Sequence, residues 1–298
     1  MKILICDKVA PEVVEELKKL GDVVYKTGME PEELKREISD AHVAVVRSAT
    51  KLRRDVLQHA KNLKLIVRAG VGLDNIDLEA AKEMGITVRN TPAATSISVA
   101  ELVLGLMLSA ARMLPMAYSS MKAHRWEKKK FQGTELFGKT LGIIGFGRIG
   151  REVAKRALGF GMKVLWYDVV DVETELDVKR ASLEELLSSS DYITLHVPLL
   201  PQTKYLINRE NIGKVKDGAV LINAARGGVV EEAAVLEALN SGKLSYYCVD
   251  VYEKEPTDNF ALIDHPGVIP TPHIGASTRE GQLRAGMEVV RIIREFFS

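Results

Sequence analysis

Two doubly wound parallel β-sheets, each covered by helices, are the α/β fold that this 298-residue chain predicts. Three observations carry that reading. Short apolar runs of strand character alternate with segments of helical spacing over most of the chain. The alternation breaks at one long apolar helix and restarts near Thr140. The length suits two domains, each able to bury a core of its own.

In order, residues 2–6, 23–25, 43–46, 65–68 and 87–88 read as strands. Between them Val13, Val14, Leu17 and Leu20 recur at helical spacing, as do Leu78, Ala81 and Met84. Such βα alternation implies a parallel sheet covered by helices. From Ser98 to Arg112 the chain carries Val99, Leu102, Val103, Leu104, Leu106, Met107 and Leu108. A helix without a polar face should be buried, in a domain or a subunit interface. The second series predicts six strands, at residues 141–144, 164–167, 192–196, 219–223, 246–251 and 268–269. The last segment is helical through Val289, Val290, Ile292, Ile293 and Phe296, and with no strand to follow it should return to the first domain. The expected division is therefore residues 1–97 with 279–298, and residues 98–278.

The charge balance, 41 basic against 40 acidic residues, gives no global field for nucleic acid or an anionic membrane. Cys6 and Cys248 lie in apolar runs, where a buried thiol is the ordinary expectation, and neither a disulfide framework nor a metal site is indicated. The amino terminus has too short an apolar run for a signal peptide. The stretch from Val99 to Ala111 holds Glu101 and is too short to span a bilayer. A cytoplasmic globular protein is expected.

Three residues point to chemistry. Arg226, Glu255 and His273 each follow a predicted strand, and in an open parallel sheet ligands bind outside the carboxyl ends of the strands. A cation, an acid and an imidazole at one edge suit proton-coupled chemistry on a small anion. Histidine fits a base for a hydroxyl proton because its ordinary pKa lies near neutrality. His42, His59 and His124 read as solvated, and His265 as a loop residue before Pro266. His196, closing a strand before Pro198, is the rival of His273, with a packed or backbone-bonded residue as its plain alternative. Glu255 would raise the pKa of His273 and fix its tautomer, and Arg226 can grip a carboxylate bidentately. Gly227 and Gly228 are expected to let substrate approach the backbone. The plain alternatives are a surface acid for Glu255 and an exposed loop arginine for Arg226.

Gly145-Phe-Gly147-Arg148-Ile149-Gly150 has the G-x-G-x-x-G form between a strand and a helix. The glycines allow a tight turn that leaves a pyrophosphate at the helix N-terminus, and Asp168, ending the next strand, can accept from ribose hydroxyls. A carboxylate there repels a 2′-phosphate, so NAD is expected rather than NADP.

These segments resemble the D-isomer-specific 2-hydroxyacid dehydrogenases over almost the whole chain. The resemblance rests on the glycine fingerprint, His196-Val-Pro-Leu-Leu200, Asn223-Ala-Ala-Arg-Gly-Gly228, Asp250-Val-Tyr-Glu-Lys-Glu-Pro256 and Pro272-His-Ile-Gly-Ala-Ser277. It implies a Rossmann NAD-binding domain and a discontinuous, flavodoxin-like substrate domain. It also implies Arg226 on the substrate carboxylate and carbonyl, His273 as acid/base and Glu255 as its support. Around the cofactor it implies Val197, Pro198, Ala224, Ala225, Asp250, Gly275 and Ala276. Arg68-Ala-Gly-Val-Gly-Leu-Asp-Asn-Ile-Asp77, Asn90-Thr-Pro-Ala-Ala-Thr-Ser-Ile-Ser98 and Arg125-Trp-Glu-Lys-Lys-Lys-Phe-Gln-Gly-Thr-Glu-Leu136 look most like the phosphoglycerate branch. That branch implies oxidation of 3-phospho-D-glycerate to 3-phosphohydroxypyruvate, the entry to serine synthesis.

A phosphorylated substrate needs further cations. Arg47 and Arg68 are the candidates, with N–H groups of Gly70, Val71 and Gly72 for the carboxylate. The resemblance also implies a homodimer through the long apolar helix, whose partner lends residues 122–130 with Trp126 as anchor. A solvated basic face is the alternative for Lys128-Lys-Lys130, and nucleic-acid stacking on Trp126 is not expected. Because the sequence stops at Ser298, neither a C-terminal regulatory domain, nor serine feedback, nor a tetramer built through such domains is expected. The competing functions are a glyoxylate or hydroxypyruvate reductase of the same chemistry, and an NAD-sensing corepressor-like binding protein.

Overall fold

The protein's structure, a computed structural model, describes residues 1–298. The chain divides into two units: Met1–Ser98 with Ala276–Ser298, and Val99–Gly275.

The first unit holds strands β1 (Lys2–Ile5), β2 (Asp22–Tyr25), β3 (Val43–Val46), β4 (Leu65–Arg68) and β5 (Thr87–Asn90). They form one parallel sheet in the order β2-β1-β3-β4-β5, the flavodoxin-like arrangement. Helices α1 (Pro11–Lys18), α2 (Pro31–Ile38), α3 (Arg54–Leu57) and α4 (Leu78–Glu83) join them. Pro11 and Pro31 stand at the first helical position, where a missing N–H costs nothing and φ is already helical. Asp77 caps α4 by accepting from Ala80 N–H at 2.9 Å. Central β3 is buried at every residue, as a strand covered on both faces must be. The terminal helix α11 (Arg279–Phe297) belongs to this unit and presses Gly286 against Val13 of α1. A Cβ at Gly286 would stand 2.2 Å from Val13 Cγ2, so only glycine permits that crossing.

The second unit opens with α5 (Ser96–Arg112), whose Ala100, Val103, Leu104, Leu106, Met107, Ala110 and Ala111 are buried in its core. Then follow α6 (Leu114–Lys122), β6 (Thr140–Ile144), α7 (Arg148–Gly159), β7 (Lys163–Tyr167), β8 (Lys179–Arg180) and α8 (Leu183–Ser189). The rest are β9 (Tyr192–Leu195), β10 (Ala219–Asn223), α9 (Glu232–Asn240), β11 (Leu244–Val249), α10 (Phe260–Ile263) and β12 (Val268–Pro270). Seven parallel strands, not six, make the sheet β12-β11-β10-β9-β6-β7-β8. The unforeseen strand is β8, two exposed charged residues at the sheet edge. Charge on an edge strand discourages further pairing and leaves no apolar alternation to read.

The strand order reverses between β9 and β6, placing a crevice at their carboxyl ends. Burial, not propensity, fixes this sheet: β9 and β10 are buried at every residue. No single helix of the chain is long and apolar enough to cross a membrane.

Candidate active site

At the reversal point, β6 runs into the glycine turn. Gly145 has φ +95°, and a Cβ there would stand 2.7 Å from the His196 backbone at the end of β9. Any side chain would therefore drive β6 and β9 apart. Gly150 lies under Gly145, whose carbonyl oxygen would be 2.3 Å from a Cβ. Gly147 differs, because a Cβ there would meet open space. That space adjoins the first turn of α7, at Arg148 and Ile149, where N–H groups have no intrahelical acceptor and the dipole favours an anion. The turn thus fits a dinucleotide pyrophosphate.

Asp168 ends β7 and its Oδ2 accepts from Phe146 N–H at 2.8 Å, so the acid is tied to the turn. A carboxylate has about four acceptor sites, which leaves capacity for a ribose hydroxyl. Phe146, fully buried, stacks on Trp166 at 4.6 Å between centroids and backs the turn from below.

The other half of the site lies where adjacent strands β10, β11 and β12 end, and this carries Arg226, Glu255 and His273 to one edge. His273 Nδ1 and Glu255 Oε2 are 2.7 Å apart, and both side chains are about half-exposed. Glu255 Oε1 also accepts from Tyr252 N–H at 3.1 Å, which fixes the carboxylate plane. The Glu255–Pro256 peptide bond is cis.

His273 has φ +52°, a left-handed conformation that costs a non-glycine residue about 1–3 kcal/mol. Asp250, buried to 1% exposure, over-determines it. Its Oδ1 accepts from Thr271 Oγ1 (2.6 Å) and Ile274 N–H (2.8 Å), and its Oδ2 accepts from Gly275 N–H (2.8 Å). Asn223, buried at the end of β10, anchors the next loop in the same way. Its Nδ2 donates to Arg226 O at 3.0 Å and its Oδ1 accepts from Ala225 N–H at 3.1 Å. Asn223 closes β10 and Asp250 follows β11, and periodicity marks neither as a positioning group; Asp250 was expected only beside the cofactor. Their signal was a buried amide or acid just before a loop.

The expected role of the next two glycines is corrected. A Cβ on Gly227 would fall 1.9 Å from Tyr252 O, so Gly227 is filled by backbone and not by substrate. Gly228 faces Leu199. The loops after β10 and β11 touch, and that contact sets the spacing of Arg226 and Glu255.

Other calls divide as follows. His196 is partly buried, its Nδ1 out of solvent and its Nε2 3.1 Å from Thr194 Oγ1, and burial pushes its pKa down to about 3. A ring held neutral and away from solvent is no base for a soluble substrate. His42 and His265 are not free solvated rings: their Nδ1 atoms accept from Lys2 N–H and Gly267 N–H. Val197, Pro198, Ala224 and Ala225 follow β9 and β10 at the carboxyl edge, beside the crevice. In the first unit, Arg47 and Arg68 end adjacent strands, with Arg68 Nε donating to Arg47 O at 3.2 Å. Gly70 lies against the Arg68 guanidinium, 2.8 Å from where its own Cβ would be, and Val71 is partly exposed beside it. Residues 128–130 form an exposed 3-10 turn, Lys130 pairs with Glu127 at 2.6 Å, and Trp126 is 81% exposed. No group of three or more metal-ligating side chains comes together anywhere.

The hydrogen bond to Glu255, with its charge, raises the His273 pKa above the ordinary histidine value; burial and Arg226 oppose this. Burial disfavours the Glu255 anion, but the bond to His273, with its charge, outweighs that and lowers the carboxyl. The pair is therefore ionic between the lowered Glu255 and the raised His273 values. Its contribution to folding disappears as pH rises through the folded-state value of His273. It disappears likewise as pH falls through that of Glu255.

A base must be neutral to act, so oxidation is expected to switch on at a pH above the ordinary histidine value of about 6.5. Glu255→Gln should move that midpoint downward, toward 6.5 or so, because the anion that favours imidazolium is gone. The pH dependence of kcat/KM for the two proteins checks this. Superimposable profiles would show that the 2.7 Å contact does not govern the base.

Comparison with known proteins agrees with this fold. Residues 104–275 match the D-isomer specific 2-hydroxyacid dehydrogenase, NAD binding domain, family. The chain is 48% identical over 299 residues to a D-3-phosphoglycerate dehydrogenase of Methanocaldococcus jannaschii, covering 99% of this chain and 57% of that protein. It is 53% identical over 268 residues to a hydroxypyruvate reductase of Thermotoga maritima, covering 89% of this chain and 88% of that one. In structure it is similar to a D-lactate dehydrogenase of Aquifex aeolicus complexed with NAD and lactic acid. There the TM-score is 0.87 and the identity 35%, over 100% of this chain and 95% of the other. The chain thus spans little more than half the length of the phosphoglycerate dehydrogenases that it matches.

Proposed function

The chain belongs to the D-isomer-specific 2-hydroxyacid dehydrogenase family, and we propose that it oxidises 3-phospho-D-glycerate to 3-phosphohydroxypyruvate with NAD. The observation that carries the chemistry is the His273–Glu255 pair at 2.7 Å, one strand away from Arg226. NAD supplies, when bound, the carbon that accepts the hydride from C2 of the acid. The glycine turn and the first turn of α7 hold its pyrophosphate, and Asp168 its adenosine ribose.

Arg226 binds the carboxylate with its planar fork and polarises the oxygen on C2. His273 removes the hydroxyl proton as the hydride departs. Its Nδ1–H points to Glu255, which leaves Nε2 as the proton acceptor. In the reverse direction the imidazolium returns that proton. Within the first unit, the proposed phosphate contacts are Arg47 and Arg68, and the proposed N–H donors to a carboxylate are Gly70, Val71 and Gly72. Two guanidinium groups on neighbouring strand ends support the phosphorylated substrate.

We further propose a homodimer. Leu114, Tyr118 and Met121 on α6 are exposed beside Trp126, an apolar face that a second copy would cover, and the partner's basic turn would join the site.

The second reading is a hydroxypyruvate or glyoxylate reductase, favoured by 53% identity over 88% of the Thermotoga protein. One panel separates the two: NADH formation with 3-phosphoglycerate, D-glycerate and D-lactate, and NADH consumption with glyoxylate and hydroxypyruvate. Charge-assisted hydrogen bonds contribute about 1.5–3 kcal/mol each, so the phosphorylated acid should lead in kcat/KM by roughly tenfold or more. Equal or better turnover of D-glycerate would discard phosphate recognition and leave the second reading. Bound NAD with no turnover of any acid would favour a sensor.

A further inference from the structure

Glu232 opens α9, just past the loop that carries Arg226, and is only 7% exposed. Both of its carboxylate oxygens are taken by one neighbouring segment. Oε1 accepts from Glu253 N–H at 2.9 Å, and Oε2 accepts from Asn259 Nδ2 at 2.8 Å. Glu253 returns the contact, its Oε1 accepting from Glu232 N–H at 2.9 Å, while its Oε2 accepts from Tyr205 OH at 3.1 Å. Residues 253–259 are thus gripped at both ends, and Glu255 lies between the grips. The backbone contact of Gly227 on Tyr252 closes the same junction.

We propose that Glu232 is a positioning residue for the acid/base pair: one buried carboxylate tethers both ends of the loop bearing Glu255 and fixes where that side chain meets His273. The proposal rests on the functional reading above for its catalytic consequence, not for its geometry. A buried carboxylate is costly unless its lone pairs are filled, and here both partners are donors. Gln cannot accept at both positions, because its NH2 must face either Glu253 N–H or the Asn259 amide. One tether is then lost and replaced by a repulsive donor–donor contact. Glu255, about half-exposed, meets Tyr252 N–H and His273, with the Arg226 charge acting on it as well.

The test is an NMR titration of the His273 imidazole in the full chain, assigned with His273→Asn, in the wild type and in Glu232→Gln. The groups that bear on His273 are Glu255 and Asp250, which raise its pKa, and Arg226, which lowers it. Those around the tether are Tyr205, Glu231 and Glu253. In E232Q the midpoint should fall by about half a unit or more toward the ordinary value, and kcat by roughly tenfold. The affinity for NAD should hold, since the glycine turn is untouched. Asn259→Ala cuts one tether, together with the Asn259 cap on Leu262 N–H of α10, and should give a smaller shift in the same direction; it carries the test should E232Q not fold.

An unmoved midpoint in the folded variants, with only a lower Tm, overturns the proposal and leaves Glu232 a scaffold residue. The titration needs no substrate. A wild type inactive on every acid would therefore overturn the functional reading alone, whereas an unmoved His273 overturns the tether alone.

Discussion

His273→Asn is expected to lower kcat for oxidation by about 10²–10⁴-fold, with NAD binding unchanged. The substitution suits the site for a backbone reason. His273 sits at φ +52°, and Asn is among the few residues that adopt the left-handed region readily. Asn can also donate to Glu255 in place of Nδ1–H. What it cannot do is take up or release a proton near neutral pH. The loss should therefore be one of turnover, with the loop intact and Asp250 still holding Ile274 and Gly275. Steady-state kinetics with titration of NADH fluorescence checks both halves. Retention of a tenth of the activity would remove His273 from the role of base and return attention to water-mediated routes.

Arg226→Gln should reduce kcat/KM for the acid by roughly 3–5 kcal/mol, a factor on the order of 10² to 10⁴. The effect should divide between KM and kcat. The guanidinium holds the carboxylate in the ground state and polarises the C2 oxygen where charge develops in the transition state. Asn223 binds the Arg226 carbonyl and Gly227 packs on Tyr252, so the loop should keep its path without the guanidinium. Arg226→Lys should recover little, because an ammonium lacks the planar fork. Measured kcat and KM for both variants, with NAD saturating, decide the matter. A loss confined to KM would leave Arg226 a substrate anchor with no part in polarising the oxygen.

Much of this arrangement was legible in residue order. Parallel strands all end on one edge, so a residue just past a strand has a known place once the strand is recognised. Arg226, Glu255 and His273 follow adjacent strands β10, β11 and β12, and Gly145 follows β6, at the reversal point. The apolar helix α5 was equally plain, because a helix without a polar face must be covered. The sequence already favoured His273 over His196, and the structure adds the reason. Both lie near a strand terminus, but the His273 ring is half-exposed against Glu255, whereas burial holds the His196 ring neutral.

Other features left little or no local mark. β8 is two exposed charged residues that pair because β7 offers an open edge. Gly227 looked like an opening for substrate, since a glycine's lack of a side chain does not say what fills the vacated space. Glu232 looked like an ordinary acid, and Asp250 like a residue beside the cofactor. Each accepts from groups distant in sequence, so its role depends on which loops the sheet makes neighbours.

The sequence alone determined the two parallel sheets, the cofactor turn and the reactive side chains at a strand-end edge. Those follow from periodicity and from residues adjacent in the chain. The tertiary structure alone decided how the expected Glu255–His273 pair is held: its 2.7 Å contact, the left-handed turn clamped by Asp250, and the loop tethered by Glu232. A hydrogen bond between side chains of two loops requires both to be brought within about 3 Å in the right orientation. That condition is met only after strand order and register are set, and no stretch of chain read by itself contains it.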